Sequence, residues 1–166
     1  MAGEDAVSFK PKKSVALSGV VAGDTAICTV GHSGNDLHYR GYDILDIAET
    51  CEFEEIAYLL VHGKLPNPAQ LLSYKARLRG LRGLSNRLRA LLELLPATAH
   101  PMDVLRTAVS VIGAIEQSDP ADDDDAVRAL TLLAKMPAIV AYEQRRRRGQ
   151  PLLESRHDLD YCENFL

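Results

Sequence analysis

The spacing of apolar positions changes at Gly41. Before it, short apolar runs alternate with Gly, Asn and Asp. The runs are Val15-Ala16-Leu17-Ser18-Gly19-Val20-Val21, Thr25-Ala26-Ile27-Cys28-Thr29-Val30 and Asp36-Leu37-His38-Tyr39-Arg40. Their separators are Ala22-Gly23-Asp24 and Gly31-His32-Ser33-Gly34-Asn35-Asp36. Such a pattern predicts a small antiparallel β-ribbon. Residues 1–13 end in Lys10-Pro11-Lys12-Lys13 and predict a flexible arm ahead of it.

After Gly41 the apolar period becomes that of a helix. Asp43 is placed to cap a short helix with Ile44, Ile47 and Ala48 on one face. A second helix runs from Phe53 to His62, with Phe53, Ile56, Ala57, Leu60 and Val61 as its stripe and Gly63 as its stop. Asn67-Pro68 reads as N-cap and first helical residue of a third, reaching Arg79. Ser85 caps a fourth, whose apolar set is Leu88, Leu91, Leu92 and Leu95; Pro96 closes it. Pro101 opens a fifth, over residues 101–116, with Met102, Leu105, Val109, Ile112 and Ile115 along one side. Ala108 and Gly113 keep part of that helix slim enough for close approach. The sixth, residues 123–148, would span about 39 Å at 1.5 Å per residue and kink at Pro137. Tyr161-Cys162-Glu163-Asn164-Phe165-Leu166 reads as the first turns of another helix with no C-cap. That predicts a cut inside a larger helical domain over residues 14–166. The fold class expected is mainly α, with a small β-ribbon at its amino-terminal end.

Composition sharpens this picture in four ways. With 46% hydrophobic and 25% charged residues in 166, the chain is a folded domain or part of one. Trp is absent and aromatics are 5%, so aliphatic side chains must fill the core. A net charge of −4 gives no footprint for nucleic acid or an anionic membrane. Cys28, Cys51 and Cys162 are far apart, odd in number and form no C-x-x-C. They predict reduced, buried thiols in a cytoplasmic protein, a setting that the lack of a signal or spanning segment also favours.

Local chemistry is sparse. His32, His38, His62, His100 and His157 include no i, i+4 pair, no H-E-x-x-H and no Cys/His cluster, so no metal site is expected. His100 is best placed to satisfy backbone groups at a helix start. The Gly31 to Gly34 loop feeds an extended segment rather than a helix, which favours a hairpin turn over a phosphate cradle. Lys75, Arg77, Arg79, Arg82, Arg87 and Arg89 read as a solvated face, with a phosphate-bearing cofactor or RNA as the alternative. Arg145 to Arg148 complement the negative end of their helix. Asp122 to Asp125 lack the spacing of a calcium loop and suit a helix start.

Several segments together carry a resemblance. Gly31-His32-Ser33-Gly34-Asn35-Asp36-Leu37-His38-Tyr39-Arg40-Gly41-Tyr42-Asp43-Ile44 resembles the early strand-to-helix segment of citrate synthases. Phe53-Glu54-Glu55-Ile56-Ala57-Tyr58-Leu59-Leu60-Val61-His62-Gly63-Lys64-Leu65-Pro66 resembles their next helix and turn. His100-Pro101-Met102, Ala134-Lys135-Met136-Pro137 and Tyr161-Cys162-Glu163-Asn164-Phe165-Leu166 follow in the family's order. Lys12 to Val20, Gly34 to Ile47 and His100 to Thr107 look most like the bacterial 2-methylcitrate synthases. Asn67-Pro68 departs from those enzymes, which often carry Thr-Arg there, and Arg145 to Asp160 is closer to general citrate synthases.

The resemblance implies a homodimeric helical enzyme that condenses propionyl-CoA or acetyl-CoA with oxaloacetate and hydrolyses the thioester. In that family an Asp takes the α-proton, one His serves the thioester oxygen and a second polarises the keto group. It places all three beyond the stretch matched here, so none of the five His inherits a catalytic role and this chain alone is expected to be inactive. No bound cofactor or metal is implied; acyl-CoA is a co-substrate. The implied partner is a second copy, through helices 101–116 and 123–148. A standalone helical dimerisation module is the alternative, and an RNA-binding helical protein ranks last.

Overall fold

The computed structural model describes residues 23–31, 36–116 and 124–165. Among these residues three strands, β1 (Cys28–Val30), β2 (Leu37–Tyr39) and β3 (Tyr42–Asp43), precede six helices. These are α1 (Ile44–Thr50), α2 (Phe53–His62), α3 (Pro68–Leu81), α4 (Asn86–Leu94), α5 (Pro101–Ile115) and α6 (Asp125–Arg147). The expected arm over 1–13 and strand over 15–21 lie outside the described residues.

The ribbon is antiparallel in the order β1-β2-β3, with Cys28 opposite Tyr39 and Tyr39 opposite Tyr42. β3 occupies residues expected to lead directly into helix. It forms because Arg40 and Gly41 both take positive φ, 51° and 91°, which suits a two-residue hairpin loop. Arg40 also donates to the Leu60 carbonyl at 2.7 Å, tying the ribbon to the last turn of α2.

Helix starts follow local rules. The Asp43 carboxylate accepts from the Leu45 amide at 2.9 Å. Asn67 and Gln70 exchange two hydrogen bonds at 2.9 Å each, and Ser85 accepts from Leu88 at 3.3 Å. Gly63 ends α2 at φ 81°.

Two buried faces differ from expectation. In α2 the buried residues are Glu54, Ala57 and Leu59, while Phe53 is 40% exposed. In α5 they are Val104, Ala108 and Ile112, and Met102 is 62% exposed. Both helices carry apolar residues around much of their circumference, so periodicity does not choose the face; the neighbouring helices do. Ala48 of α1 is exposed as well.

The core has two parts. Ala57, Tyr74, Leu78, Leu130 and Ala134 form one, from α2, α3 and the first half of α6. Leu84, Leu88, Leu92, Val104, Ala108, Ile112, Ile139 and Tyr142 form the other, from the loop before α4, α4, α5 and the second half of α6. Thus α6 is a shared spine, and Pro137 lies between its contributions to the two cores. Lys135 is buried at the same place, donating to the Gly83 carbonyl at 2.7 Å and pairing with Glu116 at 3.2 Å. It ties α6 to the α3–α4 loop and to the end of α5.

Candidate functional site

The described histidines are dispersed. His38 on β2 lies between Asp36, 3.4 Å from Nδ1, and Asp43, 3.9 Å from Nε2. His62 ends α2 against the rings of Tyr58 and Tyr74, at 4.2 and 6.0 Å. His100 caps α5 as expected, its Nδ1 accepting from the Met102 amide at 3.2 Å. His157 stands in an exposed turn, and His32 lies outside the described residues. Among the described residues no three His, Cys, Asp or Glu side chains gather as a metal set. The thiols are less buried than expected: Cys28 and Cys51 are half-buried and Cys162 is exposed.

The arginines hold the fold rather than a bare cationic surface. Lys75 pairs with Glu52. Arg89 clasps Glu154 through two 2.6 Å hydrogen bonds, which raise its guanidinium and lower the carboxyl. Arg82 is 3% exposed and donates to the Leu159 carbonyl at 2.9 Å; burial pulls it below the usual arginine range. Three members of the expected solvated stretch therefore bind other parts of the chain. In the second cluster, Arg146 and Arg147 flank the buried Glu143 at 2.8 and 2.7 Å and reach the carbonyls of Leu95 and Ala99. Burial pushes the Glu143 carboxyl up, but the hydrogen bonds from Arg146 and Arg147 more than reverse that and hold it below its usual range. This network fastens the α4–α5 loop to the end of α6. Asp124 caps α6, and Asp125 pairs with Arg128; Asp122 and Asp123 lie outside the described residues.

The segment after α6 returns along the molecule. Asp160 and Glu163 cap each other's amides at 2.7 and 3.0 Å, and the Asn164 amide donates to the Asp160 carbonyl at 3.2 Å. This is a capped turn at the place where the sequence pattern predicts the first turns of a helix; residues 161–165 form turns rather than a helix. Tyr161, inside this turn, stacks on Phe53 at 4.3 Å, and burial pushes its phenol up to about 12. Between the segment and α6 runs an open groove of about 320 Å³. Pro137, Val140 and Ala141 line its floor, Leu153 and Phe165 its far wall, Arg89 and Arg145 its rim. Both rim arginines are engaged, Arg89 by Glu154 and Arg145 by the Pro151 carbonyl. The groove is therefore apolar in its floor and electrically quiet at its edge, suited to packing a nonpolar surface.

Sequence reasoning missed Tyr161, Glu143 and Arg82 as organising residues. The one available signal was Pro137, whose presence in a long helix means that one carbonyl needs another donor.

A ribbon leading into helices packed on a long proline-bearing spine defines a mainly helical domain. The family model described as citrate synthase, C-terminal domain, matches residues 16–166. A 2-methylcitrate synthase of Shewanella oneidensis is 49% identical over 126 residues, 76% of this chain and 33% of that protein. The structure of citrate synthase from Pyrobaculum aerophilum superposes with a TM-score of 0.81 at 33% identity, covering 90% of this chain and 40% of that one. Citrate synthase from Thermoplasma acidophilum, solved as a ternary complex with carboxymethyl coenzyme A and oxaloacetate, gives a TM-score of 0.77 at 25% identity, covering 89% of this chain and 39% of that one. The chain belongs to the citrate synthase family. It spans about two fifths or less of the length of these relatives.

Proposed function

We propose that residues 14–166 are the amino-terminal helical part of an enzyme condensing an acyl-CoA, propionyl or acetyl, with oxaloacetate to give 2-methylcitrate or citrate. The observation that carries this is the family match from residue 16 to residue 166, across the ribbon and all six described helices. The most similar relative quoted is named for 2-methylcitrate, which supports propionyl transfer. Acyl-CoA enters as a co-substrate, with no resident cofactor or metal, and the setting is the cytoplasm. No helix among the described residues is long and apolar enough to cross a membrane.

The acid–base groups of the reaction come from outside these residues. His38, His62 and His100 are occupied by carboxylate, aromatic and backbone partners, in keeping with that assignment. The role of this part is to scaffold the site and to pair with a second copy through α5 and α6. Met102, Met136 and Val140 are exposed apolar residues on those helices and support the pairing.

The test is CoA-thiol release from propionyl- or acetyl-CoA with oxaloacetate. Residues 1–166 alone should run at the blank rate, a loss of several orders of magnitude. Co-expression with the carboxy-terminal part of a 2-methylcitrate synthase should restore turnover. Turnover by the lone chain, abolished by mutating one of its His, would overturn the reading. A sharp melt of the lone chain, unchanged by that partner, would favour a standalone dimerisation module.

A further inference from the structure

Proline has no amide hydrogen, so Pro137 leaves the Leu133 carbonyl without its i+4 donor. An orphaned carbonyl inside a packed domain costs free energy unless another group reaches it. Here the Tyr161 hydroxyl does so, donating to Leu133 O at 2.8 Å from 28 residues away.

Three further contacts place that hydroxyl. The Tyr161 ring lies flat on Phe53 of α2, with centroids 4.3 Å apart and planes within 10°. The Arg82 guanidinium at the end of α3 stands 6.0 Å from the ring centroid and grips the Leu159 carbonyl beside it. The reciprocal Asp160–Glu163 cap fixes the turn on which Tyr161 sits. One tyrosine thus touches α2, approaches α3 and completes α6 where the spine passes from one core to the other.

We propose that Tyr161 is a latch: its hydroxyl replaces the amide that Pro137 withholds, coupling the docked position of residues 150–165 to the gap in the α6 ladder. The groove beside Pro137 depends on this state, because its floor is α6 and its far wall is the latched segment. With the latch released, the wall loses its anchor and the two halves of α6 gain freedom about residue 137. The idea stands apart from any catalytic reading, since it concerns only contacts within this chain.

The hydroxyl and the ring can be tested separately by amide hydrogen exchange on the whole chain. Tyr161→Phe keeps the stack and removes the donor. It should speed exchange over residues 156–164 about tenfold, the loss of one hydrogen bond, while α3 amides stay unchanged. In a Pro137→Ala background the helix supplies its own donor to Leu133, and Tyr161→Phe should then change exchange less than about twofold. Pro137→Ser is a second background should the first fail to fold. Phe53→Leu, which removes the stack alone, should speed exchange by a similar factor with or without Pro137. Equal effects of Tyr161→Phe in both backgrounds would show that the hydroxyl serves something other than the proline gap. No effect in the parent chain would remove the latch altogether.

Discussion

Glu143 carries more of this fold than any histidine does. It is 5% exposed, and Arg146 and Arg147 fix both of its oxygens while reaching across to the α4–α5 loop. Removing one partner of such a network leaves buried charge unpaired, so Glu143→Gln should cost about 3 kcal/mol in urea denaturation. The pH dependence has a definite sign. The folded carboxyl titrates below its ordinary value of 4.5, so the unfolded state takes up protons first. The stabilisation is complete above that ordinary value and is lost as pH falls through the folded one. Acid unfolding below about pH 4 should therefore be steeper in the parent chain than in Glu143→Gln. Glu154 shifts the same way but is exposed, and it contributes little. At this scale, what the sequence made legible was whatever acts within a few residues: the caps Asp43, Asn67, Ser85 and His100, and the Gly63 stop. Glu143 and Tyr161 escaped because their arrangement depends on carbonyls 48, 51 and 28 residues removed from the groups that reach them.

Among elements, α5 is the most informative. All six described helices were legible, most within a residue or two of their ends, because capping chemistry is local. Which face each helix buries was less so. Ala108 is fully buried against the α4 and α6 side of its core, whereas a Cβ added at Gly113 would meet nothing within 4 Å. The two small residues therefore do different jobs. Ala108→Leu should overpack the core and lower stability by about 1–3 kcal/mol. Gly113→Leu should leave the protomer unharmed, or raise its stability by about 0.8 kcal/mol through helix propensity. If α5 pairs two copies, the same substitution should shift the protein from dimer to monomer in sedimentation velocity. Thermal melts of both variants, read beside sedimentation, separate packing within a copy from packing between copies. A parent chain that is monomeric at micromolar concentration would count against pairing through α5 and α6.

For the whole molecule, fold class and family were legible because the order of motifs survives along the chain; the partition into two cores was not. That partition depends on how one helix is shared, which no window of neighbouring residues reveals. It has a consequence for the order in which the chain folds. Each core draws its first two helices from consecutive segments, α2 with α3 and α4 with α5, so each pair can close over a short loop. Neither pair is finished until α6 arrives, and α6 is the last described helix to leave the ribosome. Nascent chains halted after residue 116 should hold two loose hairpins that a protease cuts readily, and protection should rise in both at once when residue 147 emerges. Appearance of full protection in the α4–α5 pair before α6 is made would argue against this order. The shared helix works like the keystone of an arch: two flanks rise separately, and a single late piece makes both stand.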